Sequence, residues 1–140
     1  MPGPVTPTAD HLRRLLDRPG WRVAILDGHA ASGRRDAVAA VMAVAREAGV
    51  RVVHHGVLAT SATPARVAAA LRGQLRGAVP ARGRDGLVGL ARDLEAAGEP
   101  ALLVIDDAHR GERTLIDALV ALARTAPNGV RLAVGGARRR

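Results

Sequence analysis

Two stretches of the chain combine residue types that act together on phosphates. The first, Gly28-His29-Ala30-Ala31-Ser32-Gly33-Arg34-Arg35, spaces two glycines as G-x-x-x-x-G and follows them with two cations. A loop of this form can turn successive backbone N–H groups inward around an anion, because glycine reaches positive φ and lets the backbone approach closely. A helix opening directly after it adds the positive end of its dipole. The second stretch, Ala101-Leu102-Leu103-Val104-Ile105-Asp106-Asp107, is an apolar run that ends in two carboxylates. One carboxylate suits a hard divalent cation such as Mg²⁺, which takes oxygen ligands. The next can polarise an attacking water. Asp106 is therefore the candidate metal residue and Asp107 the candidate catalytic one. Each stretch also has a plainer reading: the first as an ordinary strand-to-helix turn, the second as an acid that caps the following helix or turn.

The chain has 16 glycines, so G-x-x-x-x-G spacings arise by chance and context must decide. The pattern here directly follows the apolar run Arg22-Val23-Ala24-Ile25-Leu26 and directly precedes an amphipathic stretch. That strand–loop–helix order is what the Walker A frame, G-x-x-x-x-G-K-[ST], requires. Two positions depart from it. Arg34 stands where Lys would reach the β- and γ-phosphates, and a planar guanidinium is not equivalent to a compact ammonium. Arg35 stands where a Ser or Thr hydroxyl would ligate Mg²⁺, and a cation at that point repels the metal. Both departures leave a phosphate cradle intact and predict weak or absent hydrolysis.

Positioning such a site takes a parallel sheet covered by helices. Apolar spacing predicts a short helix over 8–17, a strand over 22–26, a helix over 33–47 built on Val38, Val41, Met42 and Ala45, and a strand over 50–54. Helices over 64–75 and 84–97 follow, separated by a loop at 77–83. The strand over 101–105 has no polar alternation, as expected when both faces are covered. A helix over 112–124 and a strand over 130–134 complete the series. This alternation implies a parallel α/β sheet with right-handed crossovers, with ligands at the carboxyl ends of the strands. Residues 1–19 read as an N-terminal extension and residues 20–140 as one domain.

Leu103-Val104-Ile105-Asp106-Asp107-Ala108-His109-Arg110 resembles the Walker B segment of AAA+ and STAND-type ATPases, in which DDAH or DEAH follows an apolar strand. Residues 28–35 are similar to their GPAGSGKT loop except at the altered positions. Val130-Arg131-Leu132-Ala133-Val134-Gly135-Gly136 resembles their next strand, which ends in a polar sensor residue. The resemblance spans roughly residues 20–138. It implies a P-loop NTPase-like three-layer sandwich with strand order 1-4-3-2, and ATP and Mg²⁺ as ligands. It also implies nucleotide contacts from Gly28, His29, Ala30, Ala31, Ser32, Gly33, Arg34 and Arg35, metal binding at Asp106 and catalysis at Asp107. Besides Arg34 and Arg35, two more positions depart from the family pattern. Gly135 and Gly136 occupy the sensor neighbourhood, and Asp107 replaces the Glu commoner in AAA+ members. The family's fifth strand and helical lid are not in this sequence, so a protein partner or further domain is the expected source of a lid.

Composition narrows the alternatives. Hydrophobic residues make up 48% of the 140 residues, but Phe and Tyr are absent and Trp21 is the single aromatic, so the core must be aliphatic. There is no cysteine, hence no disulfide and no thiolate chemistry. The formal net charge of +8 comes with 21 basic residues, all of them Arg. Such an excess attracts phosphates, including those of nucleic acid. The arginines are scattered apart from Arg138, Arg139 and Arg140, however, and no aromatic stacking platform accompanies them. A nucleic-acid-associated regulator is thus a third reading, behind a nucleotide-binding domain and a non-catalytic protein-interaction module. No run approaches the ~20 apolar residues needed to span a bilayer, and the Pro-rich opening is not a secretory signal. The expected location is cytoplasmic.

Among the remaining polar residues, His29, His54, His55 and His109 are expected near strand ends, on one rim. A metal site from His29, His109 and Asp106 is conceivable, but the spacing matches no ligand pattern. Ser32 lacks a His/Asp framework for nucleophilic work. Trp21 is expected to anchor the N-terminal helix to the sheet.

Overall fold

The computed structural model describes residues 23–27, 34–75, 77–80, 83, 85–98, 100–125 and 129–136. The predicted helix over 8–17, Trp21, residues 28–33 and Arg138, Arg139 and Arg140 lie outside them, as do the side chains of Arg34 and Arg35.

Strands β1 (Val23–Asp27), β2 (Arg51–Gly56), β3 (Ala101–Asp106) and β4 (Val130–Gly136) form one four-stranded sheet in the order β1-β4-β3-β2. Every neighbouring pair is parallel. Helix α1 (Arg34–Glu47) joins β1 to β2. Helices α2 (Pro64–Gly73) and α3 (Gly86–Ala96) join β2 to β3, and α4 (Arg113–Thr125) joins β3 to β4. The first crossover runs across the sheet in one direction and the later ones return in the other. Right-handed connections then place α1 on one face and the remaining helices on the opposite face.

The packing follows that division. Val53, Leu103, Ile105 and Leu132 point to the face covered by α2, α3 and α4, where they meet Val67, Leu71, Leu87, Leu90, Leu94, Leu115 and Leu122. Leu102, Val104 and Ala133 point the other way and meet Val38, Val41, Val44 and Ala45 of α1. Adjacent β3 residues serve opposite faces, which is why this strand is apolar throughout and buried at every position.

Local signals set the helix ends. Thr63 caps α2 by accepting from the Arg66 N–H at 3.3 Å, with Pro64 at the first helical position. After α1, Gly49 adopts φ +79°. The Val50 N–H then reaches back to the Ala45 carbonyl at 2.9 Å and the Gly49 N–H to that of Arg46 at 3.0 Å. This is a Schellman closure, and it turns the chain sharply into β2.

The strands run further than the apolar patterning predicts. β2 extends to Gly56, β3 includes Asp106 and β4 continues through Gly136. The ladder persists because backbone partners remain available, whereas the polar and glycine residues at these ends read as loop in the sequence. Asp106 is thereby a strand residue with a fixed direction.

Candidate functional site

Because side chains alternate along a strand, Leu102, Val104 and Asp106 share the α1 face of β3. Asp106 is buried, with 8% of its surface exposed. Its Oδ1 accepts a hydrogen bond from the Asp107 N–H at 2.9 Å, a charge-assisted contact that fixes the carboxylate. On the neighbouring strand, Gly135 lies on the same face. A Cβ added there would collide with Asp106 Oδ1 and come within 3.3 Å of Cγ. The space that a side chain at position 135 would need is therefore taken by the Asp106 carboxylate. Glycine at 135 is what makes room for it.

Asp107 is the one non-glycine residue with positive φ among the described residues, at φ 54° and ψ 33°. Asp tolerates this left-handed region better than most residues, yet the conformation carries a cost on the order of 1 kcal/mol. The residue precedes a single 3-10 turn, Ala108–Arg110, but makes no side-chain capping bond to it. Capping therefore does not explain an acid here. The turn gathers the neighbouring strand ends around β3. Asp107 Oδ2 lies 3.8 Å from where a Cβ on Gly56 of β2 would sit, and His109 Nδ1 lies 3.6 Å from the corresponding point on Gly136 of β4. β1 ends at the same level, with Leu26 in register with Gly135 and Asp27 with Gly136. The chain thus leaves β1 toward residue 28 from a point level with the β4 glycines. β1 and β3 send their connections to opposite faces of the sheet, the arrangement that opens a ligand crevice in α/β proteins.

Among the described residues, His54 and His55 lie near the carboxyl end of β2, as expected, but not on one side of it. His54 and His55 lie within β2, level with Val104 and Ile105 of β3, and so point to opposite faces. Burial, and secondarily the adjacent His54, holds the His55 imidazole below its ordinary pKa of 6.5. Only His109 joins the acids at the strand ends; His29 lies outside the described residues. No cluster of three His, Cys, Asp or Glu side chains suited to a metal occurs among the described residues.

A cavity of about 500 Å³ opens elsewhere, between α2 and α3, lined by Ala69, Arg72, Leu75, Val79 and Leu90 among others. Its cation is already engaged, since Arg72 Nη1 pairs with Asp93 Oδ2 at 2.7 Å. The Asp93 side chain is fully buried, and its Oδ1 has no hydrogen-bond partner. This ion pair was hidden in the sequence, although Asp93 interrupts the buried helical series Leu87, Leu90, Ala91 and Leu94. The clearance that Gly135 gives the Asp106 carboxylate was likewise not legible, because glycine at a strand end reads as punctuation.

Comparison with known protein families and with curated proteins finds no match to this chain. The site must therefore be judged on its donors. Mg²⁺ typically keeps several waters and takes one or two carboxylates together with substrate phosphates. Asp106, a buried hard-oxygen donor at a strand end, fits that role and does not by itself make a resident metal cage. No helix of the described residues is long and apolar enough to cross a membrane.

Proposed function

We propose that the chain is a nucleotide-binding domain of the P-loop type, related to AAA+ and STAND ATPases, that holds the phosphates of ATP and hydrolyses it slowly or not at all. In this reading the backbone of residues 28–34 cradles the phosphates and Arg34 neutralises their charge. Asp106 would hold Mg²⁺ and Asp107 would align a water molecule. When bound, the metal would screen the phosphate oxygens. Arg35 replaces the hydroxyl that would complete its coordination, which is why turnover is expected to be poor.

The observation that carries this reading is the position of Asp106. It is buried at the carboxyl end of β3, on the face covered by α1, beside a glycine that makes room for its carboxylate and next to a left-handed Asp107. A structural acid needs neither the clearance nor the backbone cost. The test is titration of the full chain with a fluorescent ATP analogue, followed by competition with unlabelled ATP. Saturable, competed binding is expected. Its absence at millimolar analogue would overturn the proposal.

One observation favours a second reading, a protein-interaction module. Ile116 and Val120, one turn apart on α4, are 38% and 46% exposed. An interaction module would bind no nucleotide in the same titration.

A further inference from the structure

Among the described residues, β2 is an edge strand of the sheet. Its Arg51 N–H donates to the Pro100 carbonyl and, just past the strand, the Val57 N–H donates to the Asp106 carbonyl, both at 2.9 Å, so the odd-numbered residues face β3. The intervening Val52, His54 and Gly56 direct their backbone groups outward. An outward row of N–H and C=O groups is a template for another strand. At the middle of this row the template is filled by a side chain. The His54 N–H donates to Gln74 Oε1 at 3.0 Å, and Gln74 Nε2 donates to the His54 carbonyl at 2.6 Å. One primary amide thus supplies the donor and the acceptor that a neighbouring strand would supply.

Gln74 is well placed for this. It is the C-cap residue of α2, and its own backbone N–H is held by the Leu71 carbonyl at 3.1 Å. Its side chain extends from a fixed helix end, so little ordering is needed to keep the amide on the edge.

We propose that Gln74 is an edge plug, and that withdrawing it opens β2 to pairing with β2 of a second copy of this chain. The second copy is the fitting occupant because the exposed pattern is self-complementary. Two antiparallel β2 strands related by a twofold axis at His54 would exchange both His54 N–H···O bonds, the arrangement of a hydrogen-bonded antiparallel pair. The interface is isologous and closes as a dimer. The device is independent of nucleotide binding.

The test compares Gln74→Ala with Gln74→Lys in the full chain by sedimentation over a wide concentration range. Gln74→Ala is expected to roughly double in mass as concentration rises. Gln74→Lys loses the plug too, but sets a cation on each copy at the joint and is expected not to associate. Two variants that both stay at the wild-type mass, or both associate, would overturn the proposal. Should either variant lose its circular dichroism signature, amide exchange on the wild-type chain decides. The His54 N–H is expected to exchange on the order of tenfold more slowly than those of Val52 and Gly56. Equal rates at the three positions would mean that the amide does not close the edge.

Discussion

On one face of the sheet, Val53, Leu103, Ile105 and Leu132 meet three helices that contribute a row of fully buried leucines. On the other face, Leu102, Val104 and Ala133 meet α1, which offers Val38, Val41, Val44 and Ala45. The first face carries larger side chains and more helices. The second is thin and built from small residues, and Asp106 continues its row. The contrast suggests two tasks under the proposed function: the leucine face holds the domain together, and the α1 face presents the Asp106 carboxylate.

Substitutions on the two faces should therefore differ in kind as well as size. The largest effect is expected from Leu90→Ala, which empties a fully buried position under the three helices; a loss of about 3 kcal/mol in urea unfolding is expected. Val41→Ala on the α1 face should cost about 1.5 kcal/mol by the same measurement, in line with two buried carbons removed. Equal losses would break the distinction between a thickly packed and a thin face.

Asp107 sharpens the comparison from the other side. If its left-handed backbone is held for function, Asp107→Gly should relieve strain and stabilise the fold by about 1 kcal/mol, seen as a higher Tm, while weakening nucleotide binding. A variant that loses stability would show that the Asp107 side chain serves the fold.

The smallest effect is expected from pH. Burial lowers the folded pKa of His55 below its ordinary 6.5, so the unfolded chain binds the proton more readily. The His55 contribution to stability is present above pH 6.5 and is lost as pH falls through the lowered folded value. His55→Asn should flatten that part of the unfolding profile, and an unchanged slope would remove His55 as its cause.

Much of this arrangement was legible in the sequence, for identifiable reasons. Helix period and apolar runs located the described elements to within a few residues, because α1 and α4 show clear faces and β3 has no polar residue before Asp106. The alternation of elements implied parallel strands. The position of β4 between β1 and β3 came only through the likeness to a known family, since periodicity says nothing about which strands are neighbours. Contacts set by long-range register were not legible at all. Gly135 beside Asp106, Gln74 on the edge of β2 and Arg72 against Asp93 each join residues that local pattern cannot relate. The histidines near the strand ends were legible, but the faces of β2 that His54 and His55 take were not read from the sequence.

Asp106 can be tested most directly by equilibrium binding of a labelled ATP analogue to the wild-type chain and to Asp106→Ala, each with Mg²⁺ and with a chelator. The expected result is binding to the wild-type chain that Mg²⁺ strengthens, with that strengthening lost in Asp106→Ala. Wild-type binding that is indifferent to Mg²⁺ and unchanged by Asp106→Ala would contradict the assignment of the end of β3 to the metal and the phosphates.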